Sequence, residues 1–374
     1  MVRLATIYRL GIKEWWSLAR DPIMLVFIVH TFTLAIYVSA TAMPETLHKA
    51  PIAIVDEDGS PLAGRIAAAF TRPRFNSPLM IPLAAVDPGL DAGDYTFVLD
   101  IPPDFQRDVL AGRSPVMQLN VDATRMSQAF TGSSYVQQIA LGEVAGFVQH
   151  EQGSPPPPVE LALRSRFNPN LEEGWFGALM ELINNVTMLA IILTGAALIR
   201  EREHGTIEHL LVMPVTPAEI MLAKIWSMGL VVLAAAAVAL LAVVQGVLHI
   251  PIEGSLLLFL ACTALHLFAA TSLGIFMATL ARSMPQFGML AVLILLPLQL
   301  LSGNATPRES MPWYVQQVML AAPTTHFVAA SQAILFRGAG LDVVWPQCLA
   351  LAGIGAVFFT IAWRRFRSAI SQFA

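Results

Sequence analysis

The feature that most constrains this chain is a set of six apolar runs, each near the length needed to cross a bilayer. A membrane helix takes about 20 mostly apolar residues, because its backbone must satisfy its own hydrogen bonds across about 30 Å of hydrocarbon. The runs cover 22–42, 176–199, 225–248, 255–280, 287–302 and 346–363, and the fifth is short. Composition agrees. Hydrophobic residues make up 56% of the chain and charged residues 13%, with a mean hydropathy of +0.63. Soluble domains are about a quarter charged, so this chain lacks the charges to cover a water-facing surface. That excludes an ordinary soluble enzyme and a disordered protein. A net charge of −4 leaves no basic excess to attract nucleic acid. The expectation is a mainly helical, polytopic membrane protein in contact with lipid.

Lysines and arginines set the orientation, since they are retained on the cytoplasmic side. With six spans and both termini inside, the cytoplasmic segments hold Arg3, Arg9, Lys13, Arg20, Arg200, Arg202, Lys224, Arg282, Arg364, Arg365 and Arg367. The outer loop 249–254 holds none, and the outer stretch 303–345 holds Arg308 and Arg337. This topology puts 43–175 outside, 200–224 in a cytoplasmic loop and 364–374 in a cytoplasmic tail. Residues 1–21 read as an interfacial amphipathic helix, with Ile7, Tyr8, Ile12, Trp15, Trp16 and Ala19 as its apolar positions and Arg9, Lys13, Glu14 and Arg20 on other faces. Ala40-Thr41-Ala42 mimics a signal-peptide cleavage site, but the length and tryptophan flank of the preceding run favour a retained span.

Residues 43–175 have the texture of an α/β domain. Strand-like runs at 51–55, 95–101 and 115–121 alternate with helix-like ones. Ser60 is placed to cap a helix that opens with Pro61 and buries Leu62, Ile66, Ala69 and Phe70. A second helix fits 103–112 and a long one 124–150, ended by the prolines at 155–158. Asp56, Glu57 and Asp58 could hold a metal, but with Gly59 behind them they suit a turn better.

Catalytic signatures are missing. None of the three lysines, Lys13, Lys49 and Lys224, follows a glycine, so no P-loop can cradle ATP. His204 and His209 are five apart and fall on different helix faces, a poor metal site. Cys262 and Cys348 lie in apolar runs and read as buried thiols, not as a structural disulfide or zinc ligands. The chain therefore reads as no enzyme, binding no cofactor or metal. Energy must come from another chain or from an ion gradient.

Between the second and third spans stands REREHGTIEHLLVMPVTPAEIMLAKIW, residues 200–226. A charged run ends the second span, Gly205 breaks it, and Thr206 can cap a short helix with Ile207, Leu210 and Leu211 on its apolar face. Pro214 ends that helix. Thr216, Pro217 and Glu219 then form a capping box that opens the third span. A short helix clamped between two spans can take a push from a soluble partner and move both. The plainer alternative is a turn whose charges only set topology.

This run resembles the signature of ABC-2 type transporter permeases, carried here by Arg200, Glu201, Arg202, Glu203, Gly205, Thr206, Glu208, Leu210, Leu211, Val212, Pro214, Val215 and Pro217, with Lys224 following. RFNPNLEEGWF (166–176), SPLAGRI, LDIPPDF and GRSPVMQLNVDAT extend the resemblance over nearly the whole chain, toward the multidrug-type efflux branch with a large external domain. The resemblance implies an ABC-2 exporter fold in a bacterial inner membrane. It makes 204–213 a coupling helix on an ATP-binding subunit, with Glu203, His204, Gly205, Thr206, Ile207, Glu208, Leu210, Leu211 and Pro214 as the contact residues. ATP and Mg would then sit on that partner. A second or sister permease would complete the pathway, and a periplasmic adaptor and outer-membrane channel would extend it. The resemblance also makes 303–345 a re-entrant outer hairpin, its pieces near 311–322 and 325–337 separated by Pro323.

Polar residues inside spans mark pathways or helix contacts. Glu181, Asn184 and Asn185 in the second span and His266 in the fourth are candidates for lining a route. His266, with Thr263 one turn earlier, is the best placed for an interior polar contact. His30, Gln286 and Gln299 are further candidates for the bundle interior. An ion-coupled carrier using Glu181, His30 and His266 is the alternative mechanism.

Overall fold

The computed structural model describes residues 3–41, 49–72, 74–122, 126–152, 173–203, 205, 215–304, 306 and 308–371. The chain divides into two compact units, residues 44–165 and the remainder, 1–43 with 166–374.

The remainder begins with α1, Leu4–Ala19, and α2, Pro22–Phe32. Asp21 caps α2 by accepting the Met24 N–H at 3.1 Å, and Pro22 occupies the first turn, where its missing donor costs nothing. One residue, Thr33, separates α2 from α3, Leu34–Thr41. The expected first span is thus two helices joined at Thr33, whose hydroxyl donates back to the Val29 carbonyl at 2.6 Å. α1 turns toward the helical unit a face that the sequence pattern did not mark. Its buried positions are Ile7, Gly11, Glu14 and Leu18, while Tyr8 and Trp16 are exposed.

The unit of residues 44–165 is an α/β sandwich. It holds β1 (Ile52–Asp56), α4 (Pro61–Ala69), β2 (Leu79–Met80), α5 (Val86–Ala92), β3 (Phe97–Ile101), α6 (Phe105–Leu110), β4 (Gln118–Val121) and α7 (Met126–Gln152). The sheet order is β2-β1-β3-β4, with β1 parallel to β2 and β3, and β4 antiparallel to β3. β1 is apolar from Ile52 to Val55 because both faces are covered, and it ends in the polar Asp56. Ile52 and Ile54 join a core with Leu62, Ile66, Phe97 and Val136, and Ala53 and Val55 join a second with Val86 and Val98. Ser60 caps α4 as its position suggested, accepting the Ala63 N–H at 3.2 Å. The acidic run 56–58 serves the backbone: the Asp56 carboxylate accepts from the Asp58 and Gly59 N–H groups, and Asp58 accepts from Gln106.

α8, Glu173–Glu203, is the axis of the helical unit. At 31 residues it is about 45 Å long. It is apolar nearly all round, the pattern of a helix buried by neighbours on every side. α9, Pro217–Val238, continues as a π-helix over Ala239–Val247. α10, Leu256–Leu280, lies against α8 so closely that a side chain at Gly274 would meet the Ile191 backbone. α11, Met284–Leu300, is the short fifth run, and α14, Leu341–Ser371, closes the unit. Five described helical stretches are long and apolar enough to cross a membrane, and α11, with 17 residues, is a shorter apolar helix. Between α11 and α14 stand α12, Trp313–Met319, and α13, Pro323–Leu335, bent 90° to each other. Pro323 is the first residue of α13 instead of a separator, since proline suits the opening turn. Large apolar side chains left exposed on α2, α11 and α14, among them Ile23, Val26, Met289, Leu293, Leu349 and Val357, are suited to lipid.

Candidate functional site

At one end of the helical unit α8 finishes, α9 begins and α1 lies across both. The residues that end α8 fan out to different elements. The Arg200 guanidinium donates to Asp21 before α2 at 2.9 Å. Glu201 takes Lys13 of α1 at 2.6 Å on one oxygen and Lys224 of α9 at 2.8 Å on the other, the second with ion-pair rather than aligned hydrogen-bond geometry. Arg202 donates to the Ala281 carbonyl at the end of α10 at 2.6 Å, and Glu203 accepts the Met284 N–H at the start of α11 at 2.8 Å. What reads in sequence as a topology-setting charge run is, in the fold, the tie between α8 and five other segments.

Lys224 is the centre of that tie. Its side chain is 2% exposed and also donates to Glu14 at 2.9 Å. The two lysines and two glutamates balance in charge, which is the condition for burying them at all. Burial pushes the Glu14 carboxyl above the usual carboxylate range; Lys224 opposes that rise and the negative charge of Glu201 adds to it. The sequence pattern put Glu14 on a polar face; the structure buries it against Lys224 of α9, 210 residues away. Aromatic contacts fix the same pair of helices. The Trp226 indole donates to the Ile7 carbonyl at 3.2 Å and Trp15 donates to the Ser227 carbonyl at 2.9 Å, and the two rings meet edge to face at 5.2 Å. A cavity of about 230 Å³ beside the network is lined by Lys13, Glu14, Ser17, Arg200 and Glu201 among others.

The α9 start is built as the spacing predicts. The Thr216 hydroxyl accepts the Glu219 N–H at 3.3 Å, and Glu219 accepts the Thr216 N–H at 2.7 Å. Glu219 also accepts the Arg3 N–H at 2.6 Å, so the cap of α9 holds the residue that caps α1 as well. Of the expected coupling residues, Glu203 and Gly205 are described, Gly205 in the left-handed region at φ +67°. His204, Thr206, Ile207, Glu208, Leu210, Leu211 and Pro214 lie outside the described residues.

The polar residues within the spans do not converge on one site. Asn185 is buried and donates to the Thr31 carbonyl at 2.9 Å, and it also reaches Glu181. Asn184 and Glu181 are half-buried. His266 is fully buried, bonded through Nε2 to the Thr187 hydroxyl at 2.8 Å and stacked on Phe327 at 4.0 Å. Its partner comes from α8, whereas Thr263 turns back to the Phe259 carbonyl. His30 and Gln286 are exposed on the unit's surface instead of facing its interior, and Gln299 is half-buried. Among the described residues no hydrogen bond joins His30, Glu181 and His266 directly. Cys262 and Cys348 are free thiols whose sulfur atoms meet at 3.0 Å between α10 and α14.

The profile of the ABC-2 family transporter proteins matches residues 22–364. The chain is 61% identical to the inner membrane transport permease YhhJ of Escherichia coli (strain K12) over 374 residues, 100% of each chain. It is 29% identical over 370 residues to the probable multidrug ABC transporter permease YbhR of the same strain, 98% of each, and 24% identical over 359 residues to the probable multidrug ABC transporter permease YbhS, 95% of this chain and 94% of the other.

Proposed function

Because the chain belongs to the ABC-2 transporter family, as a permease, we propose that it is the membrane-spanning subunit of an exporter driven by a separate ATP-binding subunit. The family normally pairs a permease with such a subunit. ATP and Mg would be bound there, and this chain would catalyse nothing itself. Drugs or other amphiphilic molecules would leave across the inner membrane, as the names of the multidrug relatives suggest. A second copy or a sister permease would complete the pathway, both termini would be cytoplasmic, and the unit of residues 44–165 would face the periplasm and meet an adaptor leading to an outer-membrane channel.

The observation that carries this reading is the fan of contacts at the end of α8. Segment 204–214 links α8 to α9 in sequence, and Arg200, Glu201, Arg202 and Glu203 bind α1, α9 and the ends of α2, α10 and α11. A displacement imposed on that segment by a closing ATPase pair would reach the spans as a body instead of dissipating in one helix. Gly205→Pro is the direct test, because proline cannot adopt φ +67°. In vesicles holding the permease and its ATPase, this variant and Glu208→Arg should insert normally and hydrolyse ATP with export lost. Normal export by both variants would overturn the proposal.

A further inference from the structure

At the end of the helical unit opposite the charge network, a cavity of about 520 Å³ is walled by Phe176 of α8, Ser302–Asn304 after α11, and the face of α13 that carries Thr325, Val328, Ala329 and Gln332. Arg308, Glu309 and Arg337 also line it. Its volume lies in the range of small-molecule sites, roughly 300–1,000 Å³. The lining divides by chemistry. Phe176, stacked on Phe336 at 5.7 Å, together with Val328 and Ala329 supplies an apolar wall. Two guanidiniums against one carboxylate leave the charged part net positive. Among the described residues neither Arg308 nor Arg337 has a carboxylate within ion-pair distance; Arg308 reaches only the Gln316 carbonyl, at 3.5 Å.

The start of α13 adds a second observation. Ala322 at the cap position offers no side-chain acceptor, and the hydroxyls of Thr324 and Thr325 are buried without a hydrogen-bond partner. Thr325 is 3% exposed and lines the cavity. Unpartnered buried hydroxyls cost about 1–3 kcal/mol each in general, so such groups call for a partner. The opening turn of a broken helix also carries the positive end of its dipole, the arrangement broken helices in transporters use toward anionic substrate groups.

We propose that this cavity is a binding site for an anionic amphiphile, its apolar body against Phe176, Val328 and Ala329 and its negative headgroup held by Arg308 and Arg337, with Thr325 and Gln332 bonding polar groups along the body. The inference deepens the export reading by naming a substrate class, and it rests on that reading for its physiological meaning. The test uses the full-length permease in lipid nanodiscs, with empty discs as the blank. The probes are two radiolabelled molecules with the same ten-carbon chain, decanesulfonate and decyltrimethylammonium, below their micellar concentrations. The wild type should bind decanesulfonate saturably and at least tenfold more tightly than the cation. Arg308→Gln/Arg337→Gln should lose that preference, whereas Thr325→Val/Gln332→Leu should keep it, because the alkyl chains of the probes carry no polar group for those side chains to bond. Arg337 is exposed, so Arg337→Gln alone keeps the test open should the double variant fail to fold; it should lose at least threefold for the sulfonate and nothing for the cation. Non-saturable uptake of decanesulfonate, or affinity unchanged within twofold in the arginine variants, would overturn the site. Binding is read without nucleotide, so loss of the site with Gly205→Pro still uncoupling export would sink this inference alone. Saturable binding with normal export by the coupling variants would sink the export mechanism alone.

Discussion

Lys224 shows how much a single side chain can carry. It is a fully buried cation between two carboxylates, Glu14 at 2.9 Å and Glu201 at 2.8 Å. Removing one partner of a buried pair leaves an uncompensated charge and costs about 3–5 kcal/mol. Lys224→Met should therefore lower the melting temperature of the purified permease sharply. Glu201 keeps Lys13 at 2.6 Å, so the excess charge falls on Glu14; adding Glu14→Gln removes it, and the double variant should recover roughly 0.5–3 kcal/mol relative to additivity. A strictly additive cycle would mean that the two side chains do not interact. Sequence revealed both charges but not their pairing. Amphipathic patterning ranks a glutamate as exposed by type, and a partner two hundred residues away leaves no trace in local spacing. The capping box at Thr216 was readable because all its parts fall within four residues.

Among elements, the docking of α1 on α9 is the least expected feature, made by two indole hydrogen bonds and a buried ion pair. Trp226 lies over Gly11, held by its bond to the Ile7 carbonyl and by the Tyr8 and Trp15 rings, so it has little freedom to move aside. Helix propensity alone says that Gly11→Ala should stabilise by about 1 kcal/mol. The indole says the reverse, since a methyl there runs into the ring, and overpacking costs about 1–3 kcal/mol. The melting temperature should fall for Gly11→Ala and recover partly when Trp226→Phe makes room. A rise for Gly11→Ala would show that α1 is not seated as described. Apolar run length located α8, α9, α10 and α14, because membrane spanning imposes length on hydrophobicity directly. The protein-facing side of α1 was not legible in the sequence, for a physical reason. A helix between lipid and protein has two apolar faces, and periodicity does not say which one meets protein. The break at Thr33 and the start of α14 at Leu341, ahead of Pro346, also lie beyond run-length reasoning, because neither changes the apolarity of the stretch.

For the molecule as a whole, the mechanism depends on which side of the bilayer the charge network faces. Basic residues are costly to translocate, and the end of the helical unit that holds Lys13, Arg200, Arg202 and Lys224 also holds Arg282 beside the start of α11. An ATPase can push only from the cytosol, so that end must be cytoplasmic if segment 204–214 is the lever. If α8 crosses the bilayer, the unit of residues 44–165, which precedes it in sequence, is then expected on the other side. Both consequences can be read in one experiment on intact cells. With Cys262 and Cys348 replaced by alanine, a single cysteine is introduced at exposed Arg282 or at exposed Ser114. A membrane-impermeant maleimide should label Ser114→Cys in spheroplasts and leave Arg282→Cys unlabelled until the membrane is broken. If Arg282→Cys reacted first, the network would face the periplasm, no nucleotide-driven partner could reach it, and the charge fan would hold the helices together without transmitting a stroke.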